Sequence, residues 1–164
     1  MVSKDLFSSR SEEWGTPQSL FDKLNVEFRF TLDPCANHRN AKCVRYFTKG
    51  YDGLGQSLTG ERVFMNPPYG KEISFWMKKI ATSNVKVGVA LVHSRTDTKW
   101  WHSYVEPYAD EIRFIKGRIP FIGINKDGAY VNWHLWGKQP PEGSVQVKNS
   151  GQHDSMIVIF KSKP

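Results

Sequence analysis

Apolar residues recur along this chain with two different periods, and the alternation between them sketches the architecture. Leu20, Phe21, Leu24 and Phe28 fall at i, i+1, i+4 and i+8, which is one face of a helix. Thr16-Pro17 ahead of them reads as an N-cap followed by proline at the first helical position, where a missing N–H costs nothing. Residues 1–15 are polar and expected to be loose up to Trp14. Phe30-Thr31-Leu32 predicts a short strand ending at Asp33-Pro34-Cys35-Ala36, with another around Val44-Arg45-Tyr46-Phe47 after a polar turn. Residues 48–60 hold four glycines and read as a loop containing Asp52.

The second half is more regular. A strand over 62–66 leads into a predicted helix over 71–82, whose Ile73, Trp76, Met77 and Ile80 form a stripe suited to core packing. Residues 85–92 are the clearest buried strand, followed by His93-Ser94-Arg95-Thr96-Asp97 and a helix through Trp100, Trp101, Tyr104 and Val105. Residues 111–116 predict another strand, and 119–124 and 130–136 could pair as a hairpin across Asn125-Lys126-Asp127-Gly128. After a polar, turn-rich stretch, 156–160 forms a closing strand. This order predicts an α/β fold: a mostly parallel sheet with right-handed crossovers and an antiparallel C-terminal edge. In such sheets ligands gather at the carboxyl ends of strands, where Asp33, Asn66 and the 94–97 loop would sit.

Composition narrows the class. The chain has 164 residues, 39% hydrophobic and 13% aromatic, enough for one domain with a proper core, and no repeat or linker divides 1–164. No apolar run approaches the roughly 20 residues needed to span a bilayer, and the start lacks a signal peptide, so a soluble cytoplasmic protein is expected. Cys35 and Cys43 are the only cysteines, and the histidines at 38, 93, 102, 134 and 153 lack ligand spacing, so no metal is expected. Charge is uneven. Residues 1–70 carry 9 Lys/Arg against 8 Asp/Glu and residues 71–164 carry 14 against 8, so +6 of the net +7 lies in the second part. That excess suits a polyanionic partner, although a basic surface alone proves none.

Asn66-Pro67-Pro68-Tyr69, between the predicted strand and helix, is the most informative stretch. Two prolines remove two N–H donors and fix two φ angles, leaving a stiff loop rich in carbonyl acceptors. Asn66 adds an amide oxygen and Tyr69 a flat ring. Such a loop suits a planar amino group on a ring system, as on a nucleic-acid base. A rigid strand-to-helix turn is the plainer alternative.

The chain resembles the phage-encoded, Dam-like DNA N6-adenine methyltransferases, a branch of the AdoMet-dependent methyltransferases with a Rossmann-like fold. The resemblance covers most of the chain: Glu13-Trp14-Gly15-Thr16-Pro17-Gln18, Thr31-Leu32-Asp33-Pro34-Cys35-Ala36, Arg45-Tyr46-Phe47-Thr48, Asp52-Gly53-Leu54, Arg62 to Gly70, Arg95 to Trp100 and Ile112 to Arg118. It implies a single methyltransferase domain acting on the N6 amine of an adenine flipped out of double-stranded DNA. Asn66, Pro67, Pro68 and Tyr69 would be the catalytic loop: the Asn66 oxygen and Pro67 carbonyl accept the amine hydrogens while Tyr69 stacks on the base. Trp14, Thr16, Pro17, Asp33, Pro34, Cys35 and Asp52 would bind S-adenosyl-L-methionine. This chain departs from the wider class in having no glycine over 33–37, and 33–63 is short for two β–α units, which suggests a trimmed sheet. Arg95, Lys99, Lys116 and Arg118 are read as DNA contacts, with Lys126 and Lys138 nearby and 116–155 as the target-recognition region. Thr96 or Asp97 could instead cap the next helix, with Trp100 in the core. Phage origin would make the location the host cytoplasm, and no obligate protein partner is implied. Related loops also serve enzymes acting on RNA bases or protein glutamine amides, and a non-catalytic DNA-binding relative is a further reading. Cytosine N4 fits less well, since loops for that acceptor more often begin with Ser.

Overall fold

The structure, a computed structural model, describes residues 14–163; the loose start expected for 1–15 lies, up to residue 13, outside the described residues. Helix α1, Gln18–Phe28, buries Phe21, Leu24 and Phe28, each worth about 1.5–3 kcal/mol when fully removed from water. Its N-cap is Pro17 rather than Thr16, with the Pro17 carbonyl accepting the N–H groups of Leu20 and Phe21. The helix ends where Arg29 turns left-handed at φ 51° and donates its N–H to Asn25 O.

Strands β1 (Arg62–Met65), β2 (Val87–His93), β3 (Glu111–Phe114) and β7 (Ser155–Lys161) form the main sheet in the order β1-β2-β7-β3. β1 and β2 are parallel, with Phe64 opposite Val89. Between them runs α2, Ile73–Thr82, with Ile73, Trp76, Met77 and Ile80 buried as the stripe requires. β7 is antiparallel to both β2 and β3, so the chain is mixed α/β with mixed strand directions. This corrects the expected antiparallel C-terminal edge, because β7 lies inside the sheet. Its residues 155–160 are all buried, and such a run needs apolar cover on both faces and neighbours on both sides. The edge is β3, where Phe114 is 67% exposed.

Alternation along the strands divides the core into two layers. Val63, Met65, Ala90, Val92, Met156 and Val158 pack with α2. Phe64, Val89, Leu91, Ile157 and Ile159 pack with α1. The strands expected at 30–32 and 44–47 shrink to single parallel bridges, Leu32 to Val63 and Asp33 to Tyr46. Beyond β2 the expected helix is short and becomes a π-helical turn, Trp101–Val105, with Glu106 N–H reaching back to Trp101 O. Trp100 and Val105 are buried there.

The late hairpin forms from β4 (Gly123–Ile124) and β5 (Tyr130–Val131), joined by β6 (Gln146–Val147) parallel to β5. The expected strand over 130–136 stops at Val131. Asn132, at φ 53°, turns the chain into a 3-10 helix, Trp133–Trp136. A bridge between Gly15 and Ile122 ties this hairpin to the start of the described chain. Among the described residues, no helix is long and apolar enough to cross a membrane, and no His, Cys, Asp or Glu group is arranged to hold a metal.

Candidate active site

β1 delivers Asn66 to the carboxyl end of the parallel strands, and the two prolines hold it there. The Asn66 Nδ2 donates to the Trp14 carbonyl at 2.6 Å and to Thr16 Oγ1 at 3.2 Å. Both amide hydrogens are therefore directed at the chain's own acceptors, which leaves Oδ1 turned the other way as an acceptor. The Tyr69 hydroxyl reaches that oxygen at 3.3 Å. Burial, with Cys35 nearby, pushes the Tyr69 phenol up from its ordinary range, so the ring is neutral. Tyr69 stacks on His93 with ring centroids 3.9 Å apart and planes 14° apart, and Phe121 meets it edge-on at 6.2 Å.

Two cavities flank this loop. One, a cleft of about 110 Å³, is lined by Trp14, Pro34, Cys35, Asp52, Asn66 and Trp76 among others. The other, about 360 Å³, is lined by Trp14, Tyr69, His93, Phe121, Asn132 and His153 among others. Asn66 and Pro68 face the first, Tyr69 faces the second, and Trp14 borders both. The loop is a partition.

Four of the expected cofactor residues, Trp14, Pro34, Cys35 and Asp52, thus meet in one cleft with Asn66. Thr16 and Asp33 line a recess of about 10 Å³ that Asn66 also borders. Pro17 lines none of these three cavities and opens α1. Asp52 sits at φ 51° between two short 3-10 turns, Lys49–Tyr51 and Gly53–Gly55. Asp33 is buried, and its Oδ2 accepts the Lys42 N–H at 3.0 Å. It shapes the turn from behind.

Burial raises the Asp33 carboxyl from 3.8 to about 7, against the lowering effect of the Lys42 and Cys35 backbone N–H groups. Between those values the folded chain keeps a proton that the unfolded chain has released, so stability falls as pH rises through that window. Asp33→Asn keeps an acceptor for Lys42 but cannot titrate. Its melting temperature, measured from pH 4 to 8, is expected to lack the wild-type decline assigned to this group and to exceed the wild type near pH 7. An unchanged decline would reject this assignment.

The expected DNA contacts are more scattered. Arg95 is exposed and forks onto Asp97 at 3.1 and 3.2 Å, while Lys99 is exposed on the next turn. The cap of that turn is Thr98, rather than Thr96 or Asp97: its Oγ1 accepts the Trp101 N–H at 3.3 Å. Lys116 and Lys126 are exposed. Arg118 donates to the Gln152 carbonyl, and Gln152 lines the larger cavity. Lys138 lies 4.4 Å from the Trp136 ring centroid and donates to Arg39 O.

Trp76, His93, Phe121, Asn132 and His153 escape the motif-based reading. Trp76 belongs to the α2 core stripe, yet it also lines the smaller cleft, and its buried Nε1 has no hydrogen-bond partner among the described residues. An indole in a core stripe is itself a signal, because its N–H needs an acceptor. The other four come from distant segments and carry no local pattern.

The family model for DNA N-6-adenine-methyltransferase (Dam) matches residues 4–163. A DNA N-6-adenine-methyltransferase of Haemophilus phage HP1 (strain HP1c1) is 29% identical over 165 residues, covering 94% of this chain and 95% of that protein.

Proposed function

We propose, from the premise that this chain belongs to the DNA N-6-adenine-methyltransferase (Dam) family, that Asn66–Tyr69 is the loop across which the methyl group passes to adenine N6 in DNA. The observation that carries this reading is the partition: one loop separates two cavities, with its amide on one side and its phenol on the other. S-adenosyl-L-methionine fits the smaller cleft by the chemistry of its lining. Asp52 offers a carboxylate for hydroxyl or amino donors, and the Trp76 N–H is a buried donor lacking an acceptor. At about 110 Å³ the cleft encloses only part of such a cofactor, with the rest toward its open mouth. When bound, its sulfonium supplies an already activated methyl group, so the protein needs no covalent nucleophile.

The chain's own residues act on the amine. Adenine N6 is a poor nucleophile because its lone pair is delocalised into the ring. Asn66 Oδ1, aimed by the Trp14 and Thr16 contacts, accepts one N6 hydrogen, and the Pro67 carbonyl accepts the other. Accepting both localises the lone pair and stabilises the positive charge that develops on nitrogen. The surplus proton leaves after transfer. The base enters the larger cavity from double-stranded DNA, and stacking on Tyr69, worth about 1–3 kcal/mol, offsets part of the cost of extrusion.

We read residues 1–164 as one Rossmann-like methyltransferase domain with 116–155 as the target-recognition region. The parallel β1–α2–β2 unit, with its loops at the strand carboxyl ends, supports that reading. Arg95, Lys99, Lys116 and Arg118 are the proposed phosphate contacts, and the host cytoplasm the proposed location. The test is transfer of labelled methyl from S-adenosyl-L-methionine to unmethylated duplex DNA, single-stranded DNA, RNA or protein in parallel reactions, followed by digestion to nucleosides or amino acids. Label in N6-methyldeoxyadenosine from the duplex is the expected result. Label confined to RNA, protein or single strands would overturn the assigned acceptor or its duplex form.

A further inference from the structure

Tyr69 has a soft neighbour on one side. Pro67 and Pro68 fix the chain before it, but Gly70, at φ 127°, leaves the chain after it free to adopt conformations closed to other residues. The prolines alone therefore do not set the plane of the phenol, and a ring meant to stack on a base must have a defined plane.

His93 supplies one. It is the last residue of β2, paired with Ser155 of β7, so its backbone is anchored in the middle of the sheet. Its imidazole lies nearly parallel to Tyr69, 3.9 Å between centroids at 14°. His153 continues the row, 4.7 Å from His93 and tilted by 43°. All three rings line the larger cavity. His153 belongs to the segment between β6 and β7, which is held in place by two neighbours. Arg118 donates to Gln152 O, and Asn132 exchanges hydrogen bonds with Asn149 at 2.7 and 3.0 Å. The row thus joins the Asn66–Tyr69 loop to residues of the late region through a rigid strand end.

We propose that His93 is a positioning residue for base acceptance: its ring fixes the plane of Tyr69 and links that plane to the 149–153 segment. This inference rests on the reading of Tyr69 as the stacking surface. The groups facing His93 agree with a ring that acts by its flat face. Burial first, then His153 and Arg95, hold the imidazole well below its usual range, at about 4, so it is uncharged at neutral pH.

The test compares His93→Ala with His93→Phe, which keeps a flat ring but no ring nitrogen. With His93→Ala, the KM for DNA is expected to rise about fivefold to tenfold, in line with the worth of one aromatic pair. The dissociation constant for S-adenosyl-L-methionine should stay within about twofold, and His93→Phe should recover most of the loss. An unchanged KM in His93→Ala, or equal impairment in both variants, overturns the proposal. So does a parallel loss of cofactor affinity, which would mark general disruption.

A second readout does not depend on which amine is methylated. The NMR signals of the Tyr69 ring should be dispersed by the neighbouring aromatic ring, imidazole in the wild type and phenyl in His93→Phe, and averaged in His93→Ala. If wild type methylates no adenine yet shows this pattern, the functional reading fails while the positioning role stands. If the Tyr69 signals are already averaged in the wild type, the positioning role fails by itself.

Discussion

Asn66→Ala is expected to lower kcat for N6 methylation about 10²–10³-fold, the usual loss when one pre-aimed hydrogen-bonding group is taken from a reacting centre. The mutation removes Oδ1, the proposed acceptor of one N6 hydrogen. The Pro67 carbonyl remains, so a residual rate should persist. Cofactor affinity should change little, since the cleft has many other lining groups. Trp14 O and Thr16 Oγ1 lose their amide donor, which predicts a small loss of stability rather than unfolding. Asn66→Asp separates the two functions of the side chain. It retains an oxygen toward the base but turns a second oxygen onto the Trp14 carbonyl, where Nδ2 now sits 2.6 Å away. It should be nearly as inactive. Single-turnover rates and isothermal calorimetry, run on both variants, check these outcomes. Full activity in Asn66→Ala would remove Asn66 from the mechanism.

Gly53→Ala should damage the cofactor side with comparable force. A Cβ built at Gly53 would lie 2.2 Å from the Pro34 carbonyl oxygen and 2.9 Å from Trp76 Cη2. The first of these is backbone and cannot swing aside. Pro34 and Trp76 both line the smaller cleft with Gly53, so relief of the clash must spread its walls. Overpacking of this kind costs about 1–3 kcal/mol of stability. Affinity for S-adenosyl-L-methionine should fall by at least about tenfold if its contacts are made in this cleft as proposed, because they depend on that spacing. Gly50→Ala in the same loop is the control: its nearest neighbour would be Thr48 Oγ1 at 3.9 Å, ordinary contact. Thermal melts and cofactor titration of the two variants should diverge sharply. Equal behaviour would mean the turn moves freely and does not define the cleft.

What could be read from the chain, and what could not, follows the range of the interactions concerned. α1, α2 and β2 were legible because helical and strand periodicity are local properties of Phe21, Leu24, Phe28, of the Ile73–Ile80 stripe, and of the run ending at Val92. The loop at Asn66 was legible because proline acts on its own neighbours. The helix after β2 runs through Trp100, Trp101, Tyr104 and Val105 as expected. Its cap, however, is Thr98 rather than Thr96 or Asp97, and it widens into a π-turn from Trp101, which spacing alone does not reveal. Strand order could not be read, since β7 finds its partners far away in sequence. The larger cavity was equally hidden. It brings together Trp14, Tyr69, His93, Phe121, Asn132 and His153, and nothing in the spacing of those residues says that they meet.

The place of β7 has a consequence for how the protein is made. The strand that fills the gap between β2 and β3 is translated after every other strand in the sheet. Until residues 155–161 leave the ribosome, β2 and β3 have no common neighbour, and the apolar layers on both sides of them stay open. A nascent chain therefore waits, unfinished at its centre rather than frayed at its rim, and closes in one late, long-range step. Premature termination shortly before that segment would yield a product lacking the keystone of its sheet, exposed to chaperones and proteases alike.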